Sequence, residues 1–265
     1  MKFSIKLLLL TLLLSSPPLM AQYISPYLTE VNYNMDVDYV NATPVYIYHN
    51  VIIIDELLGT SDTSRSPTLI SEVRASHVDG YHEDAFGIRY FSFDTDVKLD
   101  GIYYLKSDII RCVDYPCTAY SLFFNSLFQP LSYININAFT LDPNNGDLIF
   151  SIENDARIDG VSYVASDIIR FNNTSGFSLF YDSIFALDDF ARYKNIDGLS
   201  YLDNEHILVS FQDNDIVNTV YDFNTVSKVW SIAYTPLGLG ENYAGINITS
   251  LMGYSNDLIF KNGFD

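Results

Sequence analysis

A repeat of 59 residues constrains this chain more than any other feature of its sequence. Residues 107–111 and residues 166–170 both read SDIIR, and the alignment extends without a gap over residues 90–111 and 149–170. An Asp-Gly dipeptide recurs inside both copies, and a serine recurs at the same interval in three copies, at Ser92, Ser151 and Ser210. Self-similarity at such a period is typical of an architecture built from repeated structural units.

Each unit contains four segments with the composition of β-strands. In the second unit they are segments 136–142, 147–153, 166–172 and 177–183, which are rich in Ile, Phe, Leu and Tyr. Asn, Asp and Gly separate them, as in turns between antiparallel strands. Helical periodicity is nearly absent from the chain. The sequence therefore predicts an all-β fold made of repeated four-stranded sheets.

Such sheets favour a propeller-like arrangement. One sheet cannot cover both of its own faces, whereas radially arranged sheets cover each other, and each large side chain buried in this way contributes about 1.5–3 kcal/mol. Repeat units at about residues 78–135, 136–195 and 196–245 predict three blades. The third unit keeps its serine but lacks both the Asp-Gly turn and the SDIIR segment.

The two chain ends are predicted to complete a fourth blade. Segment 246–260 resembles the first two strands of a unit, and segments 44–50 and 51–55 resemble the last two. A composite blade from residues 246–260 and 30–60 would close the ring and leave no open sheet edge. We therefore expect a single domain of about four blades over residues 22–265.

The first 21 residues have the features of a secretory signal peptide. Lys2 and Lys6 precede an apolar run over residues 7–14, and the small residue Ala21 marks the expected cleavage site. The run is shorter than the roughly 18 residues that a membrane-spanning helix needs. We expect a secreted or periplasmic protein without membrane insertion.

Several short motifs resemble those of secreted bacterial β-propeller-like repeat proteins of unassigned function. Such proteins carry (I/V)DA, G-(D/L)-L-(I/L)-F-S and G-D-(I/L)-(V/I)-R in each unit, and the matching segments here are 137–138, 146–151 and the two SDIIR copies. The chain end, 257–265, is similar to an IF-x-x-GFE tail of exported proteins. The resemblance covers about residues 78–265, implies architecture and export, and names no activity. A tail at 257–265 competes with the composite blade for the same residues.

The chain is strongly acidic, with 33 Asp and Glu residues against 14 Lys and Arg residues and a formal net charge of −19. Removing residues 1–21, which hold two lysines and no acid, takes this charge to −21. Such a field repels phosphate backbones and anionic lipid surfaces, so nucleic acid and membrane partners are not expected, and it favours cations and basic partners. The alternative is a plain role in solubility.

Two cysteines, Cys112 and Cys117, lie in the segment CVDYPC. In an exported protein this pair predicts a local disulfide that closes a short loop. The spacing also suits a redox or metal pair, but no second cysteine pair and no nearby histidine supports that reading.

One candidate site consists of the residues that open each unit: Asp79, Asn137, Asp197 and Asn247. In a propeller the innermost strand of each blade lines the central channel, so these side chains would point oxygen atoms toward one axis. Two carboxylates and two amides suit Ca²⁺, which is the candidate cofactor. The alternative is that Asp and Asn only start the strands through turn-type hydrogen bonds.

A second candidate site is the segment HVDGYHED (77–84), which contributes His77, His82, Glu83 and Asp84. These residue types suit a transition metal or acid–base chemistry. The spacing matches no recognised zinc pattern, which favours a locally decorated loop. Acids also follow the shared serines, at 94–96, 153–155 and 213–215, where solvated turns are favoured over calcium loops.

Motifs for a catalytic nucleophile, a phosphate loop and a dinucleotide fingerprint are missing from the sequence. A serine that recurs in every unit indicates a structural hydroxyl. Asp108 and Arg111, with their copies Asp167 and Arg170, are interpreted as hydrogen-bonding or ion-pairing groups at strand edges.

These observations favour a non-catalytic binding or scaffold protein, a monomer, with a protein or glycan ligand that the sequence does not identify. The alternative is a hydrolase or lyase of propeller type that depends on a divalent cation, with Asp79, Asp197 and His82 as the first candidates for its site.

Overall fold

The computed structural model describes residues 28–31, 51–55, 60–62, 78–84, 86–114, 117, 119–184, 191–202, 205–212 and 219–234. Within these residues the chain is all-β, as predicted, and a single 3₁₀ turn at Ser126–Phe128 is the one helical element. No helix in this part of the chain is long and apolar enough to cross a membrane.

Three short strands near the N-terminus form one antiparallel sheet, in the order β1 (Leu28–Val31), β2 (Val51–Asp55) and β3 (Thr60–Asp62). The predicted strand at 51–55 is therefore present, and its two neighbours are β1 and β3. Segments 1–21, 44–50 and 246–260 lie outside the described residues, so the signal peptide, the composite blade and the tail stay predictions.

The repeat units form three four-stranded antiparallel sheets that follow one another along the chain. The first unit contains β4 (Val78–Glu83), β5 (Arg89–Phe93), β6 (Val97–Leu99), β7 (Ile102–Tyr104), β8 (Ile109–Cys112) and β9 (Tyr120–Phe124). The second contains β10 (Ile136–Leu141), β11 (Leu148–Ile152), β12 (Ala156–Ile158), β13 (Val161–Tyr163), β14 (Ile168–Asn172) and β15 (Gly176–Tyr181). The third contains β16 (Asn195–Tyr201), β17 (His206–Gln212), β18 (Val220–Asn224) and β19 (Trp230–Tyr234). Sheet 1 has the order β4-β5-β8-β9, sheet 2 the order β10-β11-β14-β15, and sheet 3 the order β16-β17-β18-β19.

The four strands predicted for the second unit are all present, and a small extra hairpin lies between the second and third of them. From the sequence, only the Asp-Gly turn of this hairpin is predicted. Its turn is Asp159-Gly160, with φ of 50° and 83°, and the first unit repeats it at Asp100-Gly101, with φ of 50° and 79°. Two successive positive φ angles are what a two-residue type I′ turn requires, and Asp-Gly is one of the dipeptides that adopt it.

Sheet 2 buries one face against sheet 1 and its other face against sheet 3, because alternate residues of a strand point to opposite faces. Phe150 and Ile169 share a buried cluster with Tyr90 and Ile109 of sheet 1. The neighbouring residues in the same strands share another cluster with sheet 3, which contains Ile149, Ile168, Val209 and Tyr221. Sheets therefore cover each other in chain order, as the repeat predicts.

The SDIIR segment returns because its aspartate organises the same turn in both units. Asp167 is buried, and its carboxylate accepts hydrogen bonds from Val164 N (3.0 Å), Ser183 N (2.9 Å) and Ser183 Oγ (2.9 Å). The serine before it, Ser166, hydrogen-bonds Ser183 Oγ at 2.6 Å. In the first unit the carboxylate of Asp108 accepts the equivalent bonds from Leu105 N, Ser126 N and Ser126 Oγ. The repeated aspartate therefore has a structural role, anchoring the end of the fourth strand to the start of the third.

Sheet 3 keeps the strand pairing of sheet 2 although it lacks SDIIR. At one pair of register positions, however, the basic and the acidic residue have exchanged places. In sheet 2, Arg170 Nε lies 3.8 Å from Asp147 Oδ2. At the corresponding register positions of sheet 3, His206 Nδ1 lies 2.8 Å from Asp222 Oδ2. The basic and acidic partners have exchanged strands, so the pairing is preserved while the identities of the residues are not.

The predicted disulfide between Cys112 and Cys117 is present, with a Cα–Cα distance of 5.7 Å. Both cysteines are buried, and Arg89 Nη1 donates to Cys117 Sγ at 3.4 Å. Two of the acids expected in solvated turns also bind backbone: Asp96 accepts from Lys106 N, and Asp155 accepts from Ala165 N, both at 3.0 Å. The third set of acids, at 213–215, lies outside the described residues.

Candidate functional site

The first strands of sheets 1, 2 and 3 each contain a β-bulge, and its position coincides with the first candidate site. The register between first and second strands shifts between residues 78 and 80, between 136 and 138, and between 196 and 198. The bulged residues are Asp79, Asn137 and Asp197. A bulge turns the extra side chain out of the regular ladder and is common beside functional sites. Three predicted residues therefore occupy the same special position in three successive sheets.

Two of these bulged residues are in direct contact across a sheet boundary. Asn137 Nδ2 donates to Asp197 Oδ1 at 3.0 Å and to the carbonyl oxygen of Ile196 at 2.6 Å. Asp197 is only 3% exposed. The amide of sheet 2 therefore holds the carboxylate of sheet 3 at the point where the first strand of sheet 3 begins.

Asn135 connects the remaining bulged residue to the same region. Its Nδ2 donates to Asp79 Oδ2 at 2.6 Å, which joins sheet 2 to sheet 1. Asn135 is 5% exposed and Asp79 is 6% exposed, so this pair is removed from water. The amide oxygen of Asn135 is also buried, and it has no hydrogen-bond partner among the described residues. We call Asp79, Asn135, Asn137 and Asp197 the bulge cluster.

The electrostatic environment of the bulge cluster is negative. Burial raises the pKa of the Asp79 carboxyl well above its usual range, against the opposing effect of its hydrogen bond from Asn135. The carboxylates of Asp94, Asp197 and Glu153 raise this pKa further. Asp94 and Glu153 follow the second strands of sheets 1 and 2 at matching repeat positions. Acidic residues of all three sheets therefore act together on the Asp79 carboxyl.

A small residue follows each bulge and faces a repeated serine. Gly80 pairs with Ser92, Ala138 with Ser151, and Gly198 with Ser210. A Cβ atom on Gly80 would lie 2.5 Å from Phe139 Cδ1 of sheet 2, so the close approach of the sheets requires glycine there. Ser151 Oγ donates to the carbonyl oxygen of Ile196 in sheet 3 at 3.2 Å. This bond between sheets gives Ser151 the structural role predicted for the recurrent serine, whereas Ser92 Oγ is buried without a hydrogen-bond partner among the described residues.

The second candidate site distributes its side chains among different partners. His82 Nδ1 lies 3.3 Å from Thr140 Oγ1 in sheet 2, and burial lowers the pKa of His82 to about 4. Glu83 accepts a hydrogen bond from Tyr81 OH at 2.7 Å. Asp84 accepts from the backbone N–H groups of residues 86 and 88 and from the hydroxyl of residue 90. His82 therefore links two sheets, while Glu83 and Asp84 support the hairpin from β4 to β5.

Two predicted site residues, His77 and Asn247, lie outside the described residues. Within the part of the chain that the structure describes, no group of three or more His, Cys, Asp or Glu side chains is arranged to hold a metal ion. The bulge cluster has two carboxylates, and its amide nitrogens point toward them rather than away.

No protein-family model and no curated protein matches this chain. Among solved structures, it is similar to the extracellular domain of a proposed hybrid two-component system from B. thetaiotaomicron, with 8% identity over 70% of this chain and 20% of that chain and a TM-score of 0.31. A proposed 6-phosphogluconolactonase from Bacteroides fragilis shows 10% identity over 66% of this chain and 43% of that chain, with a TM-score of 0.29. The chain thus spans less than half of the length of both structures. Similarity at this level carries no argument about the function of this chain.

Sequence reasoning missed two residues that join the sheets, Asn135 and Thr140. Asn135 lies in the segment Ile134-Asn135-Ile136-Asn137, in which polar and apolar residues alternate, and this alternation is the signal that marks it. Thr140 accepts from Tyr201 N at 3.1 Å in sheet 3 and also contacts His82 in sheet 1. A threonine in an apolar strand gives no sign of contacts with two other sheets.

Proposed function

We propose that this protein is a secreted, acidic, β-propeller-like binding or scaffold protein, and that its ligand site lies at the bulge cluster. Three similar sheets covering each other in chain order support the architecture. The first strands β4, β10 and β16 also contact one another, including β4 and β16, which belong to sheets that are not consecutive. Contact among all three first strands is expected when sheets radiate from a common axis. The chain ends would supply a fourth, composite blade.

Export is part of this proposal. The charged start, short apolar run and small residue at the end of residues 1–21 support a signal peptide. The disulfide between Cys112 and Cys117 supports an oxidising compartment, since such bonds are rare in the reducing cytosol. We therefore place the mature chain in the periplasm or outside the cell.

The proposed binding role depends on one observation: the side chains of three equivalent bulged residues, together with Asn135, form the polar bulge cluster between the sheets. A buried carboxylate and a buried amide oxygen without a partner cost free energy that apolar residues at the same positions would avoid. Departures from good packing are concentrated at functional sites in natural proteins. A cluster that costs stability and repeats around the first strands is therefore best explained by a ligand.

A binding assay on the mature protein tests this function. The purified chain, from residue 22, is presented to immobilised cell-surface proteins and glycans, and Asp79→Asn and Asp197→Asn are compared with the native sequence. Binding that both variants weaken supports the proposal. Turnover of hydrolase or lyase substrates that requires a divalent cation would overturn it in favour of the catalytic alternative, which no observation among the described residues favours at present.

A further inference from the structure

We propose that the bulge cluster binds a primary ammonium group, the side chain of a lysine on a protein ligand. This inference rests on the proposed binding function and names the chemistry of the group that the site takes. It is carried by the distribution of hydrogen-bond donors and acceptors around Asp79 and Asn135.

The described donors of the bulge cluster point at its carboxylates, whereas two acceptor oxygens, on Asn135 and Asp79, have no described donor. The side-chain nitrogens of Asn135 and Asn137 donate to the carboxylates of Asp79 and Asp197. The amide oxygen of Asn135 has no partner within the described residues, although the residue is 95% buried. Asp79 accepts its described hydrogen bond through Oδ2 only, which leaves Oδ1 without a described donor. A ligand for this site therefore has to donate hydrogen bonds.

The charge of the surroundings identifies the donor as a cation. The charged groups that act on the Asp79 carboxyl are three carboxylates, those of Asp94, Asp197 and Glu153. Asp79 and Asp197 are both buried and repel each other, and a positive group beside them would offset this repulsion. Hydrogen bonds from an ammonium group to carboxylates are charge-assisted and about twice as strong as neutral ones.

The geometry favours an ammonium group over a guanidinium group and over Ca²⁺. An ammonium group offers three donors and no acceptor, which suits the open oxygens of Asp79 and Asn135 and the charge of Asp197. A guanidinium group binds best with both oxygens of one carboxylate, but Asn135 already occupies one oxygen of Asp79. Ca²⁺ needs six to eight oxygen ligands, and the amide nitrogens of Asn135 and Asn137 face the carboxylates instead.

Two exposed tyrosines lie in the turns that lead into the first strands of sheets 2 and 3. Tyr133 is 89% exposed and Tyr193 is 82% exposed, and each precedes a first strand by a few residues. They lie in matching turns, which the bonds from residue 134 N to residue 131 O (2.9 Å) and from residue 194 N to residue 191 O (3.1 Å) close. The guanidinium of Arg192 already lies 5.0 Å from the centre of the Tyr193 ring, so this ring accepts a cation on its face. Such rings suit the aliphatic stem and charge of a lysine side chain.

Isothermal titration calorimetry with blocked pentapeptides provides the test. The probe is Gly-Gly-Lys-Gly-Gly with both ends capped, and the comparison peptides contain acetyl-lysine or arginine in place of lysine. We expect the lysine peptide to bind at about 0.15 M salt and the acetyl-lysine peptide to bind at least about tenfold more weakly, because acetylation removes the charge. Asp79→Asn and Asp197→Asn should each weaken lysine binding by about tenfold or more.

The matched control is Asp100→Asn, at the exposed turn of the β6–β7 hairpin, which removes the same unit of charge away from the cluster. It should change lysine binding less than twofold, which separates a specific site from general attraction to an acidic protein. Circular dichroism confirms that each variant is folded, and Asp197→Asn serves if Asp79→Asn is not.

Equal binding of the lysine and acetyl-lysine peptides overturns the proposal, as does binding that Asp100→Asn weakens as much as the cluster variants. A titration with CaCl₂ that gives saturable binding sensitive to Asp79→Asn, with no lysine binding, also overturns it and identifies a cation site instead. In these cases the broader binding function stands or falls separately, on the assay with cell-surface proteins and glycans.

Discussion

Replacing Asp167 by alanine tests the structural explanation of the repeat. The carboxylate accepts three hydrogen bonds, from Val164 N and from the backbone and side chain of Ser183, while only 3% exposed. Hydrogen bonds to charged groups contribute about 1.5–3 kcal/mol each, but losses within one network do not add up fully. We therefore expect a loss of about 3–5 kcal/mol in the free energy of unfolding.

Urea unfolding, followed through the fluorescence of the single tryptophan, Trp230, measures this loss. In a chain of this size the same loss lowers the melting temperature by roughly 6–20 °C. Asp108→Ala, which removes the equivalent network in the first unit, should lose a similar amount. Asp100→Asn removes one negative charge from an exposed turn that tolerates asparagine, so we expect a change within about 0.5 kcal/mol.

The reasoning is refuted if Asp167→Ala loses no more stability than Asp100→Asn. That result would mean that the N–H and O–H groups of Val164 and Ser183 bind water or other acceptors when the carboxylate is removed. The SDIIR segment would then be repeated for a reason other than its carboxylate hydrogen bonds. A large loss for Asp167→Ala but none for Asp108→Ala would refute the equivalence of the two units and leave the local bonding argument intact.

Three further variants test other parts of the structure. Burial raises the pKa of Asp79 in the folded state, so the protonated carboxyl stabilises the fold. This stabilisation is lost as pH rises from the usual carboxyl range through the raised pKa. Asp79→Asn should therefore melt at a higher temperature than the native protein at neutral pH, and the difference in melting temperature should shrink in acid. Gly80→Ala should destabilise the fold by about 1–3 kcal/mol in urea unfolding, because its Cβ would lie 2.5 Å from Phe139 Cδ1. Replacing Cys112 and Cys117 together by serine should cost about 2 kcal/mol in the same assay, since the bond closes a short loop whose loss also leaves two buried hydroxyls.

Each of these has its own control and contrary outcome. An Asp79→Asn variant that melts at or below the native temperature at every pH would show that the carboxylate is satisfied, and Asp100→Asn controls for the change in net charge. Ala138→Gly is the matched reverse change for Gly80→Ala, at the same position of sheet 2, and should cost only about 1 kcal/mol. If Gly80→Ala is neutral, Phe139 moves freely and the sheets are less closely packed than described. Unchanged stability after loss of both cysteines would show that the loop is held by other contacts, such as the packing around Tyr120.

The sequence by itself determined the period, the Asp-Gly turns and the four main strands of the second unit, but not the small hairpin around each Asp-Gly turn. The dipeptide Asp-Gly, at 100–101 and 159–160, is enough to predict a tight turn at each place, because the positive φ angles of such a turn depend only on the residues in it. The alternation of large apolar residues likewise predicts which faces are buried, because strands have a fixed period of two. The equivalence of Asp79, Asn137 and Asp197 was also visible, since each opens a repeated unit.

Only the tertiary structure decided what those three residues contact. The bond from Asn135 to Asp79 joins residues 56 positions apart, and that from Asn137 to Asp197 joins residues 60 apart. Such contacts depend on how closely neighbouring sheets approach and on bulges that shift the register by one residue, and neither follows from local propensity. The same reason explains His82: the sequence favoured a locally decorated loop over a metal site, but it gave no sign that the partner of His82, Thr140, comes from the next sheet.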